Sequence, residues 1–294
     1  MQLQGCFTAL ITPFTESGEI DYGQLKYLVQ QQMEGGVSGI VPVGTSGESP
    51  TLSFEEHFKV VETVISTVAG KCKVIAGTGA NSTSEAVELT KHARKAGADA
   101  TLQVTPYYNK PTQEGLYRHF STVAEEGGLP VVLYQVPGRT GRSIDVDTIE
   151  RLASQSGVVA VKEACPDIDR TSEILNRCSR IDVLSGDDSM TLPRMIVGGS
   201  GVISVASNLI PGRISEMTSS ALEGDWENAR KLHSQLFPLF RDLFITTNPI
   251  PVKSAMAMAG LINEKYRLPL CEMEAGQRHI LKQSVINAGL ELAE

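Results

Sequence analysis

The sequence predicts a (β/α)8 TIM barrel followed by a C-terminal helical appendage. Short β-rich runs alternate with amphipathic helical stretches eight times over roughly the first 224 residues, and such a barrel typically takes about 250 residues. A doubly wound open sheet has less support, because no G-x-G-x-x-G turn opens the first helix. We therefore expect a catalytic barrel over residues 1–224 and a helical domain over residues 225–294.

The strands and helices can be placed in chain order. The eight runs rich in apolar and β-branched residues cover residues 6–11, 39–43, 73–77, 100–105, 131–136, 158–161, 182–184 and 202–205. Residues suited to cap helix N-termini occur between these runs, at Asp21, Ser53, Ser82, Thr112 and Asp145. They predict helices that include residues 22–34 and 146–155. After residue 224 the strands stop, and helical stretches are predicted over residues 226–244, 251–260 and 272–288.

Charge and hydropathy exclude two broad classes of protein. The net charge is −8 and the pI is near 5.3, with no block rich in Lys or Arg, so a nucleic-acid binder is not expected. No uncharged apolar run is long enough to cross a bilayer, and the first residues do not resemble a secretory signal. We expect a cytoplasmic protein with neither nucleic acid nor membrane as a partner.

Cysteine and histidine spacing gives no sign of a disulfide framework or a histidine-based metal site. The five cysteines include no C-x-x-C pair, and their apolar surroundings predict reduced packing residues. The five histidines are dispersed over helical segments without an H-E-x-x-H motif. A magnesium site built only from carboxylates stays open at this stage.

Lys162 is the residue that most directly predicts chemistry. It ends the apolar run that begins at Val158, which reads as a buried strand where a full positive charge is costly. Desolvation disfavours a charged ammonium, and a neutral amine can attack a carbonyl to form a Schiff base. The alternative is a structural lysine held in an ion pair. Glu163 is a poor partner for that role, because successive side chains of a strand point to opposite faces.

Other reactive residues follow the predicted strands where a barrel places its active site, at the carboxyl ends. Gly44-Thr45-Ser46-Gly47 follows the second strand, and its amides and hydroxyls suit a carboxylate, although a plain glycine turn is the commoner use of such a segment. Tyr134 suits general acid–base work but could equally be a packing aromatic. Arg139 suits a substrate carboxylate but could be a solvated loop charge. The G-x-S-x-G spacing of a serine hydrolase is absent.

These residues belong to motifs that together resemble a known family. The chain is similar to the superfamily of pyruvate-dependent class I aldolases that contains dihydrodipicolinate synthase and N-acetylneuraminate lyase, and the dihydrodipicolinate synthase branch is the better match. The motifs that carry the resemblance span residues 5–13, 44–49, 77–81, 104–111, 134–141, 161–164, 184–188, 201–205 and 248–253.

The resemblance implies roles for particular residues. Lys162 would form the Schiff base, and Tyr134 would exchange protons through Thr45 with Tyr108, which would come from a neighbouring subunit of a homotetramer. The groups that would hold the substrates are Ser46, the Ile203 backbone, Gly186 and Arg139. Two departures are expected to have small effects, because Ser46 replaces the commoner threonine but keeps the hydroxyl, and Gln135 replaces an asparagine on the opposite face of its strand.

The implied reaction is the aldol condensation of pyruvate with L-aspartate 4-semialdehyde to 4-hydroxy-tetrahydrodipicolinate, in lysine and diaminopimelate biosynthesis. No metal or organic cofactor is expected, because the imine serves as the electron sink. A sugar-acid aldolase of the same superfamily and a non-catalytic keto-acid-binding barrel remain alternatives. The resemblance also implies a lysine effector site at Ser49, His57, Asn81, Glu85 and Tyr107, although Phe54 and Pro50 depart from the pattern of lysine-sensitive enzymes.

Overall fold

The computed structural model describes residues 1–154 and 157–293. Within them, strands β1 to β8 pair in sequence order as parallel neighbours, and β8 pairs with β1 to close a barrel. The strands are β1 Gly5–Ala9, β2 Gly39–Val41, β3 Lys73–Gly77, β4 Ala100–Val104, β5 Val131–Gln135, β6 Val158–Glu163, β7 Asp182–Ser185 and β8 Gly201–Ser204. The predicted (β/α)8 barrel is confirmed, and each strand lies within two residues of its predicted ends.

Helices follow the strands on the outside of the barrel. They are α1 Tyr22–Glu34, α2 Phe54–Val68, α3 Thr83–Ala96, α4 Gln113–Gly127, α5 Pro137–Thr140, α6 Val146–Ser154, α7 Ile168–Arg177, α8 Thr191–Ile196, α9 Pro211–Glu223, α10 Trp226–Asp242, α11 Ile250–Met258 and α12 Ala275–Asn287. The predicted end of α6 at Gln155 lies outside the described residues. The last three helices occupy the region predicted for the appendage.

Local capping explains several helix starts. Asp21 accepts a hydrogen bond from the Gln24 amide, and Ser53 and Glu56 form a reciprocal capping box. Ser82 precedes α3 as predicted, but its hydroxyl pairs with that of Ser84 instead of a backbone amide. Most of these capping side chains therefore satisfy amides that the first helical turn leaves unpaired.

The barrel lumen and the outer layers have separate cores. Alternate strand residues fill the lumen, among them Phe7, Ile75, Leu102, Tyr134 and Ile203, as the two-residue period of a strand requires. The largest outer cluster runs from the helices beside β1 and β2 into the appendage. Because barrel and appendage share this core, their division into two domains at residue 224 stays a prediction.

Surface features bear on two earlier expectations. Within the described residues, no helix has the length and apolar character needed to cross a membrane. The cytoplasmic location stays a prediction. The five cysteines were predicted to be reduced packing residues, but Cys271 is exposed because it lies in the irregular segment between α11 and α12.

Candidate active site at the carboxyl end of the barrel

Lys162 and Tyr134 lie side by side at the mouth of the lumen. They are register partners on β6 and β5, so their side chains share one face of the sheet. The Lys162 Nζ is 4.2 Å from the centroid of the Tyr134 ring, and both residues are buried, with 5% and 6% of their surface exposed. Among the described residues, no carboxylate oxygen lies within 4.0 Å of the Lys162 Nζ. The structure therefore does not support an ion-paired structural role for this lysine.

Glu163 and Gln135 point away from the lumen, as strand alternation predicts. The Glu163 carboxylate accepts hydrogen bonds from the Arg170 Nε at 2.9 Å and from the Cys165 amide at 2.8 Å. The Gln135 Oε1 accepts a hydrogen bond from the Ile144 amide at 2.6 Å. Both side chains are thus satisfied on the outer face, away from Lys162.

A cleft with two lobes opens around the lysine. An inner lobe of about 210 Å³ is lined by Lys162, Gly186 and Ser46, and an outer lobe of about 300 Å³ extends to Glu48, Tyr107 and Leu270. Seven residues line both lobes, and those with polar side chains are Thr45, Tyr134, Arg139 and Asn248. The cleft is large enough for two small acids and presents hydroxyl, amide and guanidinium groups to them.

Asn248 joins the predicted carboxylate-binding groups to one another. Its side-chain Nδ2 donates to the Ser46 hydroxyl at 3.0 Å, and its backbone carbonyl accepts from the Arg139 Nη2 at 2.9 Å. Its buried Oδ1 has no hydrogen-bond partner in the part of the chain that the structure describes. The motif at residues 248–253 contributed to the family resemblance but did not indicate a role for Asn248, since only the folded chain brings this residue to Ser46.

Gly186 lines the inner lobe, whereas Ile203 lies in the core of the lumen, and their roles in binding pyruvate stay predictions. A Cβ on Gly186 would lie 3.2 Å from the Lys162 Cε, so glycine leaves the room that the lysine side chain uses. Ile203 is fully buried on β8 and belongs to the lumen core. The Lys162 side chain thus lies between the end of β7 and the Tyr134 ring.

Tyr108 is the one predicted catalytic residue that this chain does not bring into its own cleft. Its side chain is 90% exposed, and its backbone adopts a left-handed φ of 72°. The preceding Tyr107 lines the outer lobe instead. The role of Tyr108 in a neighbouring subunit stays a prediction.

The predicted effector residues meet in a smaller cavity beside the cleft. Ser49, His57, Glu85 and Tyr107 line a volume of about 170 Å³ together with Phe54, and the Asn81 amide donates to the Tyr107 carbonyl at 3.2 Å. The His57 Nε2 lies 2.9 Å from the Gly77 carbonyl, and burial lowers the pKa of this imidazole. Tyr107 lines both this cavity and the outer lobe.

Two buried charges that sequence reasoning missed support the ends of β6, β7 and β8. The Asp188 carboxylate accepts hydrogen bonds from the Ser204 hydroxyl at 2.5 Å and from the amides of Val205 and Ala206 at 3.0 and 2.9 Å. Burial raises the pKa of Asp188 to about 6, although these donors oppose the increase. Asp188 thereby ties the segment after β7 to the turn after β8.

Arg194 is the second of these charges. It is fully buried, and its guanidinium donates to the Ser185 hydroxyl at 3.0 Å, the Thr171 hydroxyl at 3.2 Å and the Cys165 carbonyl. No carboxylate lies within 4.0 Å of it among the described residues. Arg194 therefore connects the segment after Lys162 to the end of β7.

No group of three or more His, Cys, Asp or Glu residues suited to a metal ion occurs within residues 1–154 and 157–293. The acidic side chains that line the cleft are Glu48 and Asp187. Glu48 is paired with Lys253, and Asp187 accepts from the amide and hydroxyl of Ser189. The groups in the cleft are therefore suited to organic acids.

Comparisons with known proteins agree with this geometry. A model of the dihydrodipicolinate synthetase family matches residues 2–288. The chain is 51% identical over 291 residues to the 4-hydroxy-tetrahydrodipicolinate synthase of Aquifex aeolicus, covering 98% of this chain and 99% of that protein. It is also 51% identical over 288 residues to the synthase of Methanocaldococcus jannaschii, with the same two coverages.

A solved structure gives the same result. The crystal structure of dihydrodipicolinate synthase from Aquifex aeolicus superposes with a TM-score of 0.97 at 51% identity, covering 99% of this chain and 100% of that one. The resemblance inferred from the sequence motifs is confirmed.

Proposed function

The chain belongs to the dihydrodipicolinate synthetase family, and from this membership we infer that it condenses pyruvate with L-aspartate 4-semialdehyde to give 4-hydroxy-tetrahydrodipicolinate. The observation that carries this inference to a residue is the buried Lys162 amine, which faces the cleft beside Tyr134 without a carboxylate partner among the described residues. The enzyme is a Schiff-base-forming lyase of lysine and diaminopimelate biosynthesis.

We propose that the Lys162 Nζ attacks the keto carbon of pyruvate to form a carbinolamine. Tyr134 donates a proton to the oxygen, which leaves as water when the imine forms. Tyr134 then accepts a methyl proton, which gives an enamine. The enamine carbon bonds to the aldehyde carbon of the second substrate, while the aldehyde oxygen takes up a proton and becomes a hydroxyl group. The amino group of that substrate then attacks the imine carbon, and Lys162 leaves as the free amine while the ring closes.

The hydroxyl and guanidinium groups of the cleft hold the two carboxylates in this proposal. Ser46 and the Ile203 backbone bind the pyruvate carboxylate near Gly186, and Arg139 receives the carboxylate of the second substrate. Support comes from the lining of the cleft, where Arg139 and Ser46 are connected through Asn248.

Proton exchange requires a second subunit in this proposal. Tyr134 is linked by Thr45 to Tyr108 of a neighbouring copy, in a homotetramer built as a dimer of dimers. The exposed Tyr108 side chain supports this arrangement, since it projects from its own chain. Sedimentation of the wild-type protein and the activity of Tyr108→Phe together test this arrangement. Wild-type protein that is a fully active monomer would contradict the shared site.

Activity and covalent trapping test the reaction. Purified protein is assayed with pyruvate and L-aspartate 4-semialdehyde, with product consumed by dihydrodipicolinate reductase. Borohydride with pyruvate should add a reduced adduct to Lys162. Lys162→Ala should abolish both signals, because no other amine replaces the nucleophile.

Lys73→Ala serves as the matched control. Lys73 opens β3 at the opposite end of the barrel and is paired with Asp99 on the surface, so its removal should leave activity and trapping unchanged. Trapping that survives in Lys162→Ala would refute the assignment of the nucleophile. Cleavage of N-acetylneuraminate or a 2-keto-3-deoxy sugar acid, without condensation, would indicate an aldolase of another branch.

We also propose weak to moderate inhibition by lysine at the cavity beside the cleft. Glu85 is the one carboxylate lining this cavity among the described residues and suits the amino groups of an effector, while Phe54 replaces a polar side chain found in sensitive enzymes. Titration of L-lysine into the assay tests the proposal, with Glu85→Gln expected to abolish the inhibition. Unchanged rates at millimolar lysine would remove the proposal.

A further inference from the structure

The loop that follows β2 has a strained backbone on both sides of Thr45 and Ser46. Val43 and Glu48 both adopt left-handed conformations, with φ of 50° and 56°. Such a conformation is unusual for any residue other than glycine and most unfavourable for a β-branched one. It typically costs about 1–3 kcal/mol per residue and persists where surrounding contacts enforce it.

The chain packs tightly on itself within this loop. A Cβ on Gly47 would lie 2.9 Å from both the Cα and the amide nitrogen of Val43. The Thr12 hydroxyl donates to the Gly47 carbonyl at 2.7 Å, which holds one side of the loop to the segment after β1. The conformation of Thr45 and Ser46 therefore depends on contacts from outside the loop.

One such contact is a fully buried ion pair with the appendage. The Lys253 Nζ, on α11, lies 2.5 Å from the Glu48 Oε1, and both side chains are 0% exposed. The same Nζ lies 4.2 Å from the centroid of the Phe14 ring. Burial lowers the pKa of Lys253, and the Glu48 carboxylate opposes this effect. The mechanism proposed above uses neither of these two charges.

Arg267 holds the same region at a second place. Its guanidinium makes a two-point contact with the Glu56 carboxylate at 2.6 and 2.7 Å and donates to the Thr51 carbonyl at 2.9 Å. Its backbone amide also donates to the Glu48 Oε2 at 3.4 Å. The segment from residue 48 to the start of α2 is thus attached to the appendage through three acceptor residues.

Stability alone does not account for the pair. A buried ion pair contributes little net stability compared with well-packed neutral side chains, because both charges are removed from water. What this pair provides is a fixed position for Glu48, at the left-handed end of the loop that carries Thr45 and Ser46. Asn248, five residues before Lys253, contacts the Ser46 hydroxyl and fixes the same loop from the same side.

We propose that Lys253 is a positioning residue that acts through Glu48 to hold Ser46 in the conformation that binds the pyruvate carboxylate. The appendage thereby sets the affinity of the barrel for its first substrate. This inference rests on the proposed function, since it assigns the loop to pyruvate.

The test removes both charges together. In the double variant E48Q/K253M no buried charge is left unpaired, so the fold is expected to survive while the fixed link is lost. We expect kcat/KM for pyruvate to fall about tenfold or more, as displacement of a binding group by a fraction of an ångström implies. For the semialdehyde we expect a change of less than about threefold, since pyruvate is by then held covalently by Lys162.

The control variant R241M/D242N removes an ion pair of the appendage whose hydrogen-bonding partner outside the pair is Ser284 on α12. It should lower the stability of the protein and should not change kcat/KM for pyruvate more than kcat/KM for the semialdehyde. If it lowers kcat/KM for pyruvate as much as E48Q/K253M does, or if E48Q/K253M retains wild-type kcat/KM for pyruvate, the proposal is overturned.

A second variant tests the proposal if E48Q/K253M folds poorly. Glu48→Asp keeps both charges but shortens the link by one methylene, and it should raise the pyruvate concentration for half-maximal borohydride trapping about tenfold. Unchanged half-saturation would overturn the proposal. Wild-type protein that pyruvate and borohydride do not label would instead refute the proposed function. The two failures are therefore distinguishable.

Discussion

Substitution of Gly186 by alanine should displace the Lys162 side chain and lower activity, although no reactive group is replaced. Gly186 follows β7, and an added Cβ would lie 2.8 Å from the Ala164 Cβ and 3.2 Å from the Lys162 Cε. The backbone of Gly186 is not left-handed, so alanine meets steric conflict there instead of backbone strain. The substitution therefore probes the space around the lysine side chain.

The size of the effect follows from these distances. Carbon atoms in contact are normally about 3.5–4.0 Å apart, so the Lys162 Cε must recede from the new methyl group by roughly 0.3–0.8 Å. Overpacking of this kind costs about 1–3 kcal/mol of stability. A displacement of about 1 Å at a reacting group costs about 100-fold in rate. Because the lysine is displaced by less than this, we expect kcat/KM to fall about 10- to 100-fold while the protein stays folded.

The assay compares kcat/KM for pyruvate with the rate of borohydride trapping, and unfolding is followed separately in urea. Gly276→Ala is the control: this glycine lies in α12, and its added Cβ would meet no atom within 4 Å, so activity should stay at the wild-type value. Activity of Gly186→Ala within about threefold of wild type would refute the reasoning from displacement.

Three further predictions concern charges in and around the cleft. Burial raises the pKa of Asp188 in the folded chain from its ordinary 3.8 to about 6, so the folded state binds a proton that the unfolded state releases between these values. The stability of wild type relative to Asp188→Asn should therefore fall by about 2 kcal/mol from pH 4 to pH 7, and a constant difference in urea unfolding would contradict this. Arg194→Met should lower the free energy of unfolding by about 3 kcal/mol, because it leaves buried hydrogen-bond acceptors unpaired. Arg230→Met on the exposed face of α10 is the control, and equal losses of stability in urea unfolding would count against the prediction. Arg139→Ala should raise KM for the semialdehyde about 10- to 100-fold with pyruvate KM within about threefold, and equal effects on both substrates would contradict its proposed role.

Several features of the active site follow from local sequence patterns. Lys162 was identifiable because an apolar strand that ends in a lysine places an amine at a barrel mouth, and Tyr134 because it belongs to the preceding strand. Strand alternation was enough to predict that Glu163 and Gln135 face outward, where they bind Arg170 and Ile144. These inferences succeed because the two-residue period of a strand is local.

The pairing of distant charges did not follow from such patterns. Lys253 lies in an apolar helical stretch, where a buried positive charge is as costly as it is for Lys162 in a strand. This local pattern is enough to mark Lys253 as unusual. Its partner Glu48, however, is 205 residues away in the sequence. No local period identifies such a partner, because the contact depends on how the appendage packs beside β2.

Local sequence patterns and motifs were enough to predict the eight alternating strands and helices, the family, and the candidate reactive residues at the strand ends. The contacts through which Asp188, Arg194 and Lys253 support those ends, and the exposure of Tyr108 on its own chain, became visible only in the folded molecule. The two kinds of feature differ in the distance along the chain between the residues that produce them. Secondary structure and the face of a strand arise from neighbouring residues, whereas a buried charge is stabilised by groups that only the closed barrel and its packed helices bring within hydrogen-bond distance.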